Sequence, residues 1–122
     1  MKQGKVNELY KGLKTLSGIN MPIKTAWTVY ATMKKLDPHI EFSMEQEKKL
    51  YEETGVQALD NGVLQFKDAE SRDKFQQKML EIVDRDVDVE LDEISIPLAD
   101  VDGAKITPEI LSWLSPVVNF TE

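Results

Sequence analysis

The chain predicts an α+β fold in one domain, and three observations carry that reading. Apolar residues recur at helical spacing through most of the first half and again after residue 68. The period then changes from 3.6 to 2 between residues 86 and 92, and Asn61-Gly62 marks a tight hairpin turn between the two helical stretches. With 122 residues there is material for one core and not for two. The expected order is a helical N-terminal half, a short β-hairpin, a fourth helix, an acidic β-strand and a short C-terminal helix, all in a single domain spanning residues 1–122.

Each element has its own signal. Val6, Leu9, Tyr10, Leu13 and Leu16 lie on one helical face, and Gly18 is placed to end that helix. Pro22 suits the first turn of a second helix, where its missing N–H is not needed. Ile23, Ala26, Trp27, Tyr30 and Ala31 then make one apolar stripe, which the spacing predicts to face the core. Lys34 and Lys35 complement the helix dipole, and Asp37-Pro38 is expected to break the run. A third helix, residues 43–54, closes at Gly55 with only Met44, Leu50 and Tyr51 to bury. After the hairpin, Asp68 caps a helix reaching about Val83, with Phe75, Met79, Ile82 and Val83 inward.

Beyond that helix, "DRDVDVELDE" (residues 84–93) alternates strictly. Val87, Val89 and Leu91 point one way, and Asp86, Asp88, Glu90 and Asp92 the other, as in a half-buried strand. Ile94, Ile96 and Leu98 resume the alternation after a one-residue shift, which predicts a bulge at Asp92-Glu93. "DVDG" reads as a turn. Thr107 as cap, Pro108 at the first helical position and Pro116 as terminator then frame a short helix.

Composition excludes several classes of function. The chain has no cysteine, so disulfides, zinc–thiolate centres and cysteine nucleophiles are absent. No run of about 18 apolar residues occurs, and "MKQGKVNELYKGLKTLSG" does not read as a signal peptide, which points to the cytoplasm. Net charge is −7, with Glu81, Asp84, Asp86, Asp88, Glu90, Asp92, Glu93, Asp100 and Asp102 set against Arg85 alone in that stretch. Such a field repels phosphate, so direct nucleic-acid binding through this half is disfavoured. The lysines of the first half, Lys2, Lys5, Lys11, Lys14, Lys24, Lys34 and Lys35, leave open a basic patch and with it direct DNA binding, but scattered lysines on a helix are usually just solvated.

The acidic comb is the feature most like chemistry. As a calcium loop it fails: Asp84, Asp86 and Asp88 match the first three ligand positions, but Val89 stands where glycine makes the turn and Ser95 where a bidentate Glu is needed. As a catalytic pair, acids two apart on a strand are about 6.6 Å apart, yet five acids on an open edge look solvated rather than tuned. As a phosphate mimic, Asp84, Asp86, Asp88, Glu90 and Asp92 could occupy the basic groove of a nucleic-acid enzyme, and they are the candidate partner-binding residues. The plainest reading is a strand with one wet face, whose charge also discourages edge-to-edge pairing. His39 is the only histidine and has no thiolate or second imidazole to join in a zinc site; beside Pro38 it reads as a surface turn residue. The glycines are isolated, so no phosphate-binding loop can be drawn. Trp27, Tyr30 and Trp113 read as core packing. No catalytic, cofactor-binding or metal residue is assigned, and no enzymatic activity is expected.

The order of "MPIKTAWTVYATMKKLDP", a charged helix, "DNGVLQFKDAESRDKFQQKMLEIVDRDVDVELDEISI" and a closing "ITPEILSWL" resembles a family of small tailed-phage and prophage proteins of Gram-positive bacteria, often encoded between tail-fibre and lysis genes. The likeness spans about residues 21–114 and rests on pattern and order, with no catalytic signature. It implies a phage origin, a location in the infected host's cytoplasm or the virion, and an accessory role without cofactors. It carries over no site residues. Two functions follow as expectations. One is a docking module or minor virion component that binds a phage structural or host protein. The other is an inhibitor that sets the acidic strand against a host nuclease or defence protein.

Overall fold

The computed structural model describes all residues, Met1–Glu122. Helix α1 (Gln3–Ser17) is followed by a long helix α2 (Ile23–Thr54) and a small hairpin, β1 (Gln57–Ala58) and β2 (Leu64–Gln65). Next come α3 (Ala69–Val83), strand β3 (Ile94–Pro97), a 3-10 turn (Leu98–Val101), α4 (Pro108–Leu114) and strand β4 (Val118–Thr121). This is a small α+β domain.

Much of the local chemistry acts as the sequence predicts. Gly55 ends α2 in the left-handed conformation that a Cβ disfavours, with φ +67°. The Asp68 side chain accepts the Ser71 amide at 2.7 Å and caps α3; the Thr107 hydroxyl accepts the Ile110 amide at 3.3 Å and caps α4. In the hairpin, Asn61 Oδ1 accepts the Val63 amide at 3.1 Å, and Gly62 takes a positive φ.

Three expectations are corrected. The second and third helices are one, because α2 runs straight through Pro38. Proline removes one i→i−4 hydrogen bond, but Pro38 is exposed, where water can serve the carbonyl left without a donor. On the opposite face Leu36 is buried in the core and α1 holds α2 by two hydrogen bonds: Gln3 Nε2 donates to the His39 carbonyl at 3.1 Å, and Asn7 Nδ2 donates to the Ser43 hydroxyl at 3.1 Å. His39 is therefore a helix residue, not a turn residue.

The second correction concerns residues 84–93, which are extended but form no strand. Their only ladder contact is one antiparallel bridge between Lys2 and Asp86, flanked by hydrogen bonds from Val87 N to the Met1 carbonyl and from Gln3 N to the Arg85 carbonyl, both 2.8 Å. Alternation needs only extended backbone and one buried side; a strand also needs a partner edge. Chain available for pairing ends where α1 begins at Gln3.

Third, the strand that does form is β3, and its partner β4 has no clear sequence signal. The two pair in parallel, Ile94 opposite Val118 and Pro97 opposite Thr121. Parallel strands need a crossover, here supplied by the 3-10 turn and α4. Ile94 and Ile96 face inward as expected, whereas Leu98 has left the strand and is exposed.

Two apolar clusters result. The larger holds Val6, Leu9, Leu13 and Leu16 of α1, Val29 and Leu36 of α2, Val87, Ile94 and Ile96, Leu114 of α4, and Val117 and Val118. Gly12 lets α4 approach: a Cβ there would stand 2.8 Å from Leu114 Cγ. The smaller joins Leu50, Val56 and Phe75, with Tyr51 and Phe66 edge-on to the Phe75 ring, each at 5.4 Å between centroids. Helix α2 belongs to both.

Candidate docking surface

The buried face of α2 is not the face its sequence advertises. Val29, Thr32, Leu36, Ser43, Leu50 and Thr54 are buried, a seam at intervals of three, four and seven residues that is only half apolar. The aromatic stripe points outward: Ile23 is 85% exposed, Trp27 64% and Tyr30 51%. A hydroxyl can lie in the seam because it bonds its own helix; Thr32 Oγ1 donates to the Thr28 carbonyl at 2.9 Å, and Thr54 Oγ1 to the Leu50 carbonyl at 2.8 Å. The seam is filled by aliphatic and hydroxyl side chains, and neither ring of the aromatic stripe enters it.

Ile23, Trp27, Tyr30 and Lys34 are spaced i, i+4, i+7 and i+11, so they share one ridge about 16 Å long at 1.5 Å per residue. The rings of Trp27 and Tyr30 lie 5.7 Å apart, tilted by 35°. Lys34 Nζ sits 5.5 Å from the Tyr30 centroid, within reach of the ring's negative face. Beside the ridge runs a groove of about 320 Å³ lined by Ile19, Met21, Ala26 and Met33 among others, with Tyr30 as its wall. Contiguous exposed apolar patches are the kind of surface that marks interaction sites.

The charge around this ridge differs from that of the rest of the molecule. Residues 9–36 hold five of the fifteen cations, Lys11, Lys14, Lys24, Lys34 and Lys35, and none of the 22 carboxylates. Two carboxylates approach from outside that span: Asp37 Oδ2 lies 3.6 Å from Lys34 Nζ, and Asp92 Oδ2 lies 4.0 Å from Lys35 Nζ. A third, Asp100, accepts the Thr25 hydroxyl at 2.9 Å. Next to the ridge, the Tyr10 phenol is pushed up from its usual value, first by burial and then by the carboxylate of Asp37.

The acids singled out in the sequence are all exposed, but their setting differs from an open comb. Lys2 Nζ lies 3.1 Å from Asp86 and 3.8 Å from Asp84, and this hydrogen bond and charge raise the lysine above its usual range. With Asp92 beside Lys35, three of the five carboxylates are drawn to lysines of the same chain, while Asp88 and Glu90 make no ion pair. No three His, Asp or Glu side chains come together as a metal-binding group. Nearby, Gln3 is fully buried and ties three segments: its Nε2 donates to Asn7 and His39, and its Oε1 accepts from Arg85 at 2.9 Å.

The sequence pattern predicts a core position for Trp27 and Tyr30, and the structure turns both outward. The signal that they face outward lies in the neighbouring stripe, where Val29, Leu36 and Leu50 recur at multiples of seven and offer a second apolar face on the same helix. Comparison of the chain with known protein families, with curated proteins and with solved structures gives no significant match.

Proposed function

We propose that the protein is a non-enzymatic docking module that holds another protein against the outer face of the first half of α2. The observation that carries this reading is the exposed Trp27–Tyr30 pair, its rings 5.7 Å apart, with Ile23 one turn away. Tryptophan and tyrosine dominate binding energy at protein interfaces because they remove large apolar areas from water with few rotatable bonds to fix. The resemblance to small tailed-phage proteins supplies the setting, an accessory or assembly role in infected bacteria.

A second reading, an acidic inhibitor that occupies a basic groove, keeps one observation in its favour: Asp88 and Glu90 stand exposed and without a counter-ion. It is weakened by the lysines that already engage Asp84, Asp86 and Asp92. Pull-down of the tagged protein from phage-infected cells separates the two. A partner retained by wild type, lost by the Trp27→Ala/Tyr30→Ala variant and kept by the Asp86→Lys/Asp88→Lys/Glu90→Lys variant supports docking through α2. Loss only on charge reversal would transfer the function to the acidic segment. Retention by both variants, each shown to be folded by circular dichroism, would sink both readings.

A further inference from the structure

Resting on the docking reading, we propose that the occupant of this surface is an acidic amphipathic helix, with apolar residues at helical spacing and carboxylates along its flanks. Shape gives the helix. Ile23, Trp27 and Tyr30 follow one face of α2 at i, i+4 and i+7, and the groove lined by Ile19, Met21, Ala26 and Met33 lies beside them. A ridge beside a groove is what a second helix fits, its own side chains interdigitating at an axis separation of about 8–10 Å. An added strand is ill suited, because backbone hydrogen bonds within a helix leave no row of open donors and acceptors.

Charge gives the acids. Lys24 and Lys35 lie to one side of Trp27, and Lys34 continues the ridge, within a span that has no carboxylate of its own in a protein of net charge −7. The intrachain pairs of Lys34 with Asp37 and of Lys35 with Asp92, at 3.6 and 4.0 Å, are surface pairs with more than half of each lysine side chain exposed. Such pairs are weak and exchangeable, so a partner's carboxylates can take over these lysines as the apolar ridge is covered. A second copy of the same face is disfavoured, because it would bring Lys24, Lys34 and Lys35 of each copy together. An anionic membrane is disfavoured by the charge of the molecule as a whole.

The test is selection from a displayed library of random 20-residue peptides on the purified protein, with counter-selection on the folded Trp27→Ala/Tyr30→Ala variant. Enriched peptides should be net negative with apolar residues at i, i+3, i+4 and i+7. A synthetic peptide of the most enriched sequence should bind about tenfold or more weakly to a Lys24→Glu/Lys34→Glu/Lys35→Glu variant, and more weakly as salt is raised. Neutral or basic peptides, or equal affinity for the triple variant, would overturn the acidic occupant and leave docking intact. Absence of any peptide that prefers wild type to the counter-selecting variant would overturn docking itself. Two further outcomes also refute the proposal. One is a concentration-dependent dimer abolished by Trp27→Ala. The other is a blue shift of Trp27 emission, in a Trp113→Phe background, on adding phosphatidylcholine–phosphatidylglycerol vesicles.

Discussion

Helix α1 and the first half of α2 are both amphipathic, of similar length, and packed against each other, yet they spend their apolar residues in opposite ways. In α1, Val6, Leu9, Leu13 and Leu16 are all fully buried. In α2 the inward positions go to Val29, Thr32 and Leu36, while Ile23 and the two aromatic rings of Trp27 and Tyr30 face water. Burying a side chain of that size is worth roughly 1.5–3 kcal/mol, so leaving three outside forgoes stability the fold could have had. A helix can be amphipathic twice over, with one face for its own fold and another for something else.

The comparison is broken most directly by truncating one residue from each side. Leu13→Ala should cost about 2–5 kcal/mol, because a buried leucine leaves a cavity as well as its transfer energy. Trp27→Ala should stay within about 0.5 kcal/mol, as surface substitutions do. Urea denaturation measures both, and a large loss from Trp27→Ala would mean that the aromatic face is structural after all. Iodide should quench Trp27 more strongly than the half-buried Trp113.

A smaller effect tests how tightly α1 is enclosed. Gly12→Ala gains up to about 1 kcal/mol of helix propensity, but its Cβ would meet Leu114 at 2.8 Å, and Leu114 is fully buried. Overpacking of this kind costs about 1–3 kcal/mol, so net destabilisation is expected. A rise in Tm would show that α4 can retreat freely.

The smallest effects come with pH, at opposite ends of the scale. Hydrogen bonding by the Ser71 amide holds the Asp68 carboxyl below its ordinary 3.8. Its contribution is therefore whole above 3.8 and lost as pH falls through the depressed value. Hydrogen bonding to Asp86, with the charges of Asp84 and Asp86, holds Lys2 above its ordinary 10.5. That contribution is whole below 10.5 and lost as pH rises through the raised value. Protection of the Ser71 amide, taken relative to its intrinsic exchange rate, should fall only in acid, and the Val87 amide chemical shift should move only in strong base. Asp68→Asn should flatten the first response and Asp86→Asn the second.

Legibility in the sequence followed the range of the interaction. Caps and turns at Gly55, Asn61-Gly62, Asp68 and Thr107 were readable because each is settled within a few residues. The α+β class and the inward set of α1 were readable for the same reason. Pro38 misled because its local cost is outweighed by contacts to α1 from 36 residues away, His39 to Gln3 and Ser43 to Asn7. The acidic alternation was real in its facing and wrong as a strand, since no sequence pattern shows whether a partner edge exists. Strand β4 is four residues with one clearly buried side chain, too short to show a period. The candidate surface was visible as residues but not as a surface: choosing between two apolar stripes on one helix requires knowing what packs against it.

Pairing β3 with β4 also sets a timetable. A chain made from its N-terminus has α2, the hairpin and α3 in hand, with the whole Leu50–Val56–Phe75 cluster, before residue 94 exists. The larger core must wait for Leu114 and Val118. Through most of its synthesis the leucine face of α1 is only partly covered, while the aromatic ridge of α2 is already complete. Newly made chains thus expose two apolar faces where the folded domain exposes one, and the arrival of β4 decides when the first is covered.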